Sequence, residues 1–122
     1  MPTILVADDS PAQRELIAGL LKENGFSVAT AIDGAEALDK LKSLAPDLII
    51  LDVVMPNLNG YQSCRSIKSD PKTEHIPVIL CSTKNTQVDS YWGLKQGADA
   101  YIVKPFPHDE LLGTVKQLLR NS

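Results

Sequence analysis

The sequence predicts a single doubly wound α/β domain, with a five-stranded parallel sheet in the order 2-1-3-4-5 and helices on both faces. Three observations carry this. Short apolar runs, three of them without polar alternation, take turns along the chain with segments of helical periodicity. Each strand-plus-helix unit occupies roughly 20 to 30 residues, the length of a crossover between parallel strands. Right-handed crossovers then leave few topologies, and 2-1-3-4-5 is the usual one for five strands.

The first strand is read at Thr3-Ile4-Leu5-Val6-Ala7, ending in Asp8-Asp9. Ser10 is a helix cap, Pro11 suits the first helical position, and Gln13 stands where it would complete a capping box. Leu16, Ile17, Leu20 and Leu21 mark the buried stripe of this helix, and Gly25 is a left-handed stop. The run Phe26 to Ala31 alternates more, as a strand nearer the sheet edge does. Asp33-Gly34 then opens a second helix with Ala35, Ala37, Leu38, Leu41 and Leu44 on its stripe. It is expected to run to Ala45, because the residue before Pro46 is pushed out of the α region.

Leu48-Ile49-Ile50-Leu51 is an unbroken apolar run that requires cover on both faces, the pattern of a central parallel strand. It delivers Asp52 at its far end. In the loop that follows, Gly60 can accept positive φ, and Tyr61, Cys64 and Ile67 continue as a helix to Asp70-Pro71. Ile76 to Cys81 is the fourth strand, closing in Ser82-Thr83-Lys84. A helix from about Val88 to Gln96, stopped by Gly97, is the least well specified, since it contains Ser90, Trp92 and Gly93. Asp99 to Val103 is the fifth strand and ends in Lys104-Pro105, and the last helix carries Leu111, Leu112, Val115, Leu118 and Leu119.

At 122 residues the chain accommodates one domain, taken as residues 1–122, with no linker, repeat or low-complexity segment. A net charge of -3 argues against a nucleic-acid surface, which wants clustered Lys and Arg. Cys64 and Cys81 have no metal-ligand spacing and read as reduced structural thiols, and His75 and His108 read as solvated. No export signal and no membrane-length apolar run is visible, so a soluble cytoplasmic protein is expected.

In a sheet of this order, strands 1 and 3 are neighbours and the switch point lies between their carboxyl ends. The residues at those ends are Asp8 and Asp9, Asp52, Ser82 and Lys104. Carboxylates gathered this closely repel unless a proton or a cation joins them. Oxygen donors without His or Cys point to a hard ion, and Mg²⁺ held by carboxylates and waters suits an open crevice. Lys104 and the Ser82 hydroxyl match phosphoryl oxygens as a point charge and a donor. The set reads as an aspartate that accepts a phosphoryl group.

Asp8-Asp9, the stretch Leu51 to Gly60, Ser82-Thr83 and Lys104-Pro105-Phe106 together resemble the receiver domains of bacterial two-component response regulators, of the CheY single-domain kind, with the flavodoxin-like fold. The resemblance spans essentially the whole chain. It implies that Asp52 is phosphorylated from a kinase histidine, directly or through a phosphotransfer protein. It implies Mg²⁺ on Asp9, Asp52 and the Val54 carbonyl, with Asp8 acting mainly through water. Ser82 and Lys104 would hold the phosphoryl oxygens, and Tyr101 would turn inward as Ser82 moves. Output would pass through the face of helix 4, strand 5 and helix 5 to a protein target, without DNA or membrane, from a monomer or weak dimer. A cis Lys104-Pro105 bond is a further expectation of the resemblance. The stretch Ser82-Thr83-Lys84 with Asp89, Tyr91-Trp92-Gly93 and Gln96-Gly97-Ala98 is also similar to regulators of type IV pilus twitching motility, so chemotaxis or twitching motility is the expected setting.

Two positions depart from the family pattern. Thr83 stands where a small residue is common, so dephosphorylation is expected to be altered. Pro107 stands where Ser or Thr often caps the last helix, leaving Asp109 and Glu110 to support that end through the helix dipole. The protein is read as a signalling switch that catalyses only its own phosphoryl transfer and slow dephosphorylation. Three other readings are weaker. An aspartyl phosphatase wants an acid where Val54 stands, and a flavin carrier would set Asp8-Asp9 against the ligand's phosphate. A phosphorylation-independent adaptor on the same fold would not need the intact set of acids, hydroxyl and lysine.

Overall fold

The computed structural model describes residues 1–84 and 86–121. Its elements, in chain order, are β1 (Thr3–Ala7), α1 (Pro11–Glu23), β2 (Ser27–Ala31), α2 (Gly34–Lys40), β3 (Leu48–Asp52), α3 (Gly60–Ser69), β4 (Val78–Ser82), α4 (Gln87–Lys95), β5 (Ala100–Val103) and α5 (His108–Arg120). The strands form one parallel sheet in the order β2-β1-β3-β4-β5, as expected. Alternation along the strands divides the core in two. Leu5, Ile49, Leu51, Val78 and Leu80 face one side with Ala37, Cys64 and Ile67 of α2 and α3. Ile4, Val6, Leu48, Ile50 and Ile79 face the other with Ile17 and Leu21 of α1 and Leu111 and Val115 of α5.

The unbroken apolar runs are the central strands. Leu48, Ile49, Ile50 and Leu51 are fully buried, as is every residue of β4, whereas β2 at the edge buries only Ala31 completely. Four aliphatic side chains buried at about 1.5–3 kcal/mol each make β3 a stiff base for the group at its end.

Local expectations at the helix ends were met unevenly. Ser10 caps α1 by accepting from the Gln13 N–H at 3.3 Å, but the Ser10 N–H donates to Asp8 Oδ1 at 2.9 Å, so no reciprocal Gln13 box closes. The carboxylate at the strand end is the stronger, charged acceptor for that N–H. The second helix stops at Lys40 rather than Ala45. The Lys42 and Ser43 N–H groups bond the carbonyls of Asp39 and Lys40, tightening the chain into turns that still bring Leu41 and Leu44 onto the core. Gly60 does not take positive φ; Asn57 does, at 66°. Gly60 is instead the first residue of α3, and its missing Cβ is a matter of space, as argued below.

Asn59 and Gln62 form a full capping box at α3, and Thr86 and Asp89 form another at α4. Pro107 precedes α5 with no side-chain cap bond, and Asp109 and Glu110 lie in its first turn. The Lys104-Pro105 bond is cis. In α4 only Gly93 is buried, so this helix depends on its ends more than on core contacts. Thr86→Ala should cost about 1 kcal/mol, the usual loss for a cap. The loss should be read as faster hydrogen exchange confined to the amides of α4, with α1 and α5 unchanged.

Candidate functional site

The register fixes which strand ends meet. Ala7 lies beside Leu51, Asp52 beside Cys81, and Ser82 beside Val103, so the residues that follow β1, β3, β4 and β5 share one rim. Backbone bonds hold the exits: Asp8 N–H to Ala31 O at 3.2 Å, Val53 N–H to Cys81 O at 3.0 Å, and Lys104 N–H to Ser82 O at 2.7 Å.

Carboxylate oxygens of Asp8, Asp9 and Asp52 lie within 4.8 Å of one another. Lys104 reaches in from the opposite side, its Nζ 2.9 Å from Asp8 Oδ2 and 3.2 Å from Asp52 Oδ1. Asp8 and the Lys104 side chain are largely shielded, at 2% and 10% exposure, and Asp52 at 13% is nearly so, while Asp9 is open to solvent. Asp8 is further tied by the Ser10 N–H on its other oxygen and by Arg14 Nη1, which donates to its carbonyl at 2.7 Å.

Burial holds the Asp52 carboxyl above its ordinary pKa. The Lys104 charge pulls it back, and Asp8 and then Asp9 add to the rise. Burial alone would lower the Lys104 ammonium, but the hydrogen bond it donates to Asp8 and the charges of Asp52 and Asp8 outweigh it, and its pKa is raised. With all three acids ionised, the single ammonium leaves two negative charges unbalanced. Hard oxygen donors with that charge excess fit a small divalent cation.

The group opens into a cavity of about 380 Å³, also lined by Val54, Ser82, Thr83 and Phe106. Six of the seven residues singled out from the sequence therefore meet here. The seventh, Tyr101, lies outside the cavity, its hydroxyl donating to Lys84 O at 3.0 Å. It is connected through Lys84, whose N–H donates to Ser82 Oγ at 3.0 Å. Arg14 was not foreseen, since nothing in its spacing marks a contact to a backbone carbonyl. The Asn59-Gln62 and Thr86-Asp89 boxes carry a readable signal, a capping residue with a polar partner three positions on.

Residues 4–116 match the family model described as response regulator receiver domain. The chain belongs to that family. Receiver-domain relatives include Protein PilH of Pseudomonas aeruginosa, 37% identical over 119 residues and covering 98% of each chain. Protein PilG of the same organism is 42% identical over 93% of this chain and 84% of its own. The DNA-binding response regulator MtrA of Mycolicibacterium smegmatis is 38% identical, but this chain spans only 51% of it.

Among solved structures, the signal receiver domain of a signal transduction histidine kinase from Syntrophus aciditrophicus superposes with a TM-score of 0.94. It is 39% identical, over 99% of this chain and 92% of that one. The receiver domain of sensor histidine kinase PA1611 from Pseudomonas aeruginosa gives 0.90 at 27% identity over 98% of each chain, and it carries a magnesium ion in its active site cleft. This receiver domain is thus a signalling component of the two-component type. No helix among its described residues is long and apolar enough to cross a membrane.

Proposed function

We propose that the receiver accepts a phosphoryl group on Asp52 from a phosphohistidine of a sensor kinase or phosphotransfer protein. The observation that carries the reading is the acid cluster within 4.8 Å closed by the Lys104 ammonium, which touches both Asp8 and Asp52. An Asp52 oxygen attacks phosphorus, forming the P–O bond as the P–N bond breaks, and the departing imidazole takes up a proton. Lys104 and the Ser82 hydroxyl would bind the phosphoryl oxygens, which takes Ser82 Oγ from the Lys84 N–H. Asp9, Asp52 and the Val54 carbonyl would hold Mg²⁺, with Asp8 acting through water. Bound there, the ion supplies positive charge against the transferring group. Later loss of the phosphoryl group to water, slowly and at the same site, resets the switch.

Output is read as a protein contact on the α4-β5-α5 face. Val88, Tyr91 and Trp92 expose 64%, 58% and 50% of their surfaces on α4, an apolar grouping suited to a partner rather than to phosphate backbone. One domain, spanning residues 1–122, carries both the acceptor site and this face.

Incubation with a small phosphodonor and Mg²⁺ should add the mass of one phosphoryl group, and borohydride trapping should map it to Asp52. Chelation of the metal should suppress it. Label on Asp8 or Asp9 instead, or none in the presence of Mg²⁺, would sink the assignment.

A further inference from the structure

We propose that Tyr61 is a positioning residue of the switch: its hydroxyl ties the start of α3 to the first turn of α4 in the unphosphorylated molecule and helps keep Tyr101 against the β4–α4 loop. The inference rests on the phosphorylation reading above. Tyr61 follows Gly60, whose N–H donates to Val53 O at 2.9 Å and whose backbone lies directly on the Asp52 carbonyl. The side chain of Tyr61 therefore projects from a backbone that stands on the end of β3.

Its hydroxyl donates to the Asp89 carbonyl at 3.0 Å. Asp89 is the partner of Thr86 in the box that starts α4, and it lies one turn before Gly93. Gly93 is where α4 admits the Tyr101 ring; a Cβ there would come within 2.7 Å of Tyr101 Cδ2. Tyr101 in turn donates to Lys84 O, and Lys84 N–H donates to Ser82 Oγ. The contacts run from the Asp52 carbonyl through Gly60, Tyr61, α4, Tyr101 and Lys84 back to Ser82, so both ends lie in the phosphorylation site. The Tyr61 phenol is held above its usual pKa by burial first, with the Tyr101 hydroxyl beside it adding to the rise.

Drawing Ser82 toward a phosphoryl group takes the acceptor from Lys84, and an inward turn of Tyr101 gives up both Lys84 O and the neighbouring Tyr61 hydroxyl. The Tyr61 bond thus stabilises one state and not the other, and removing it shifts the equilibrium toward the activated one.

Tyr61→Phe removes the hydroxyl and keeps the ring. Beryllofluoride with Mg²⁺, followed by Trp92 fluorescence, should bind the variant roughly three- to tenfold more tightly than wild type, the share of one net hydrogen bond. The melting temperature should fall without beryllofluoride and match wild type with it. An affinity that is unchanged or weaker, or an equal fall in both states, would show a merely structural bond and overturn the proposal. A wild-type protein that ignores beryllofluoride would overturn the phosphorylation reading itself; a responsive wild type with an unaltered variant overturns only the role of Tyr61.

Discussion

Asp52→Asn is expected to abolish phosphoryl uptake and the response to divalent cation, while raising the melting temperature of the metal-free protein at neutral pH. The two effects have one origin. Asp52 sits in a largely shielded position beside Asp8 and Asp9, and burial with those charges lifts its pKa above the ordinary 3.8, against the pull of Lys104. A carboxyl whose folded pKa is raised destabilises the fold when ionised. That penalty is complete above the raised value and absent below 3.8. Asparagine cannot ionise and still offers Lys104 an oxygen. The variant should therefore gain stability at neutral pH, and the gain should shrink as acid protonates the wild-type carboxyl.

Divalent cation reverses the comparison. The wild type, holding the ion with its full acid set, should gain about 1.4 kcal/mol at ten times the dissociation constant. The variant lacks one ligand and should gain little. Acidification should also weaken the ion's hold on the wild type, because protons compete for Asp52. Melting curves with and without Mg²⁺, in neutral and acidic buffer, test all of this. Equal Mg²⁺-induced shifts in the two proteins would remove Asp52 from the cation site.

Why so much of this site was readable follows from where its residues stand. Asp8, Asp52, Ser82 and Lys104 each close or follow an apolar run, and parallel pairing brings all such ends to one edge. Periodicity locates the runs, and chirality of the crossovers arranges them. Contacts between loops have no comparable local signal. The pair Asn57 and Asp33, the bond from Gly34 N–H to Leu58 O, and the reach of Tyr61 to Asp89 join residues whose separation carries no period. They arise only once the β2–α2, β3–α3 and β4–α4 connections are side by side. The early end of α2 was hidden for a related reason: Leu41 and Leu44 continue the helical stripe in sequence while the backbone that carries them has already become turn.

Gly60 is the clearest case of a residue whose role needed the fold, and Gly60→Ala is the second large effect expected. Conformation alone favours alanine here, since Gly60 begins α3 without positive φ, and alanine is the better helix former by about 1 kcal/mol. Space decides against it. A Cβ at Gly60 would lie 2.4 Å from the Asp52 carbonyl oxygen and 2.8 Å from Val53 Cα, and both are backbone atoms at the end of the stiffest part of the sheet. Neither can rotate away as a side chain could. Overpacking of this kind costs about 1–3 kcal/mol and more where neighbours cannot yield. A net loss of about 2 kcal/mol, or a melting temperature lower by roughly 5–10 °C, is the expected outcome.

The clash has a functional side as well, because relieving it pushes α3 off the peptide that carries Asp52. Mg²⁺ affinity should fall along with stability. Gly113→Ala separates propensity from space: nothing lies within 4 Å of a Cβ at Gly113 in α5, so that variant should gain about 1 kcal/mol. If Gly60→Ala melted at or above wild type and bound Mg²⁺ equally well, the close approach of α3 to Asp52 would not be what calls for glycine at this position.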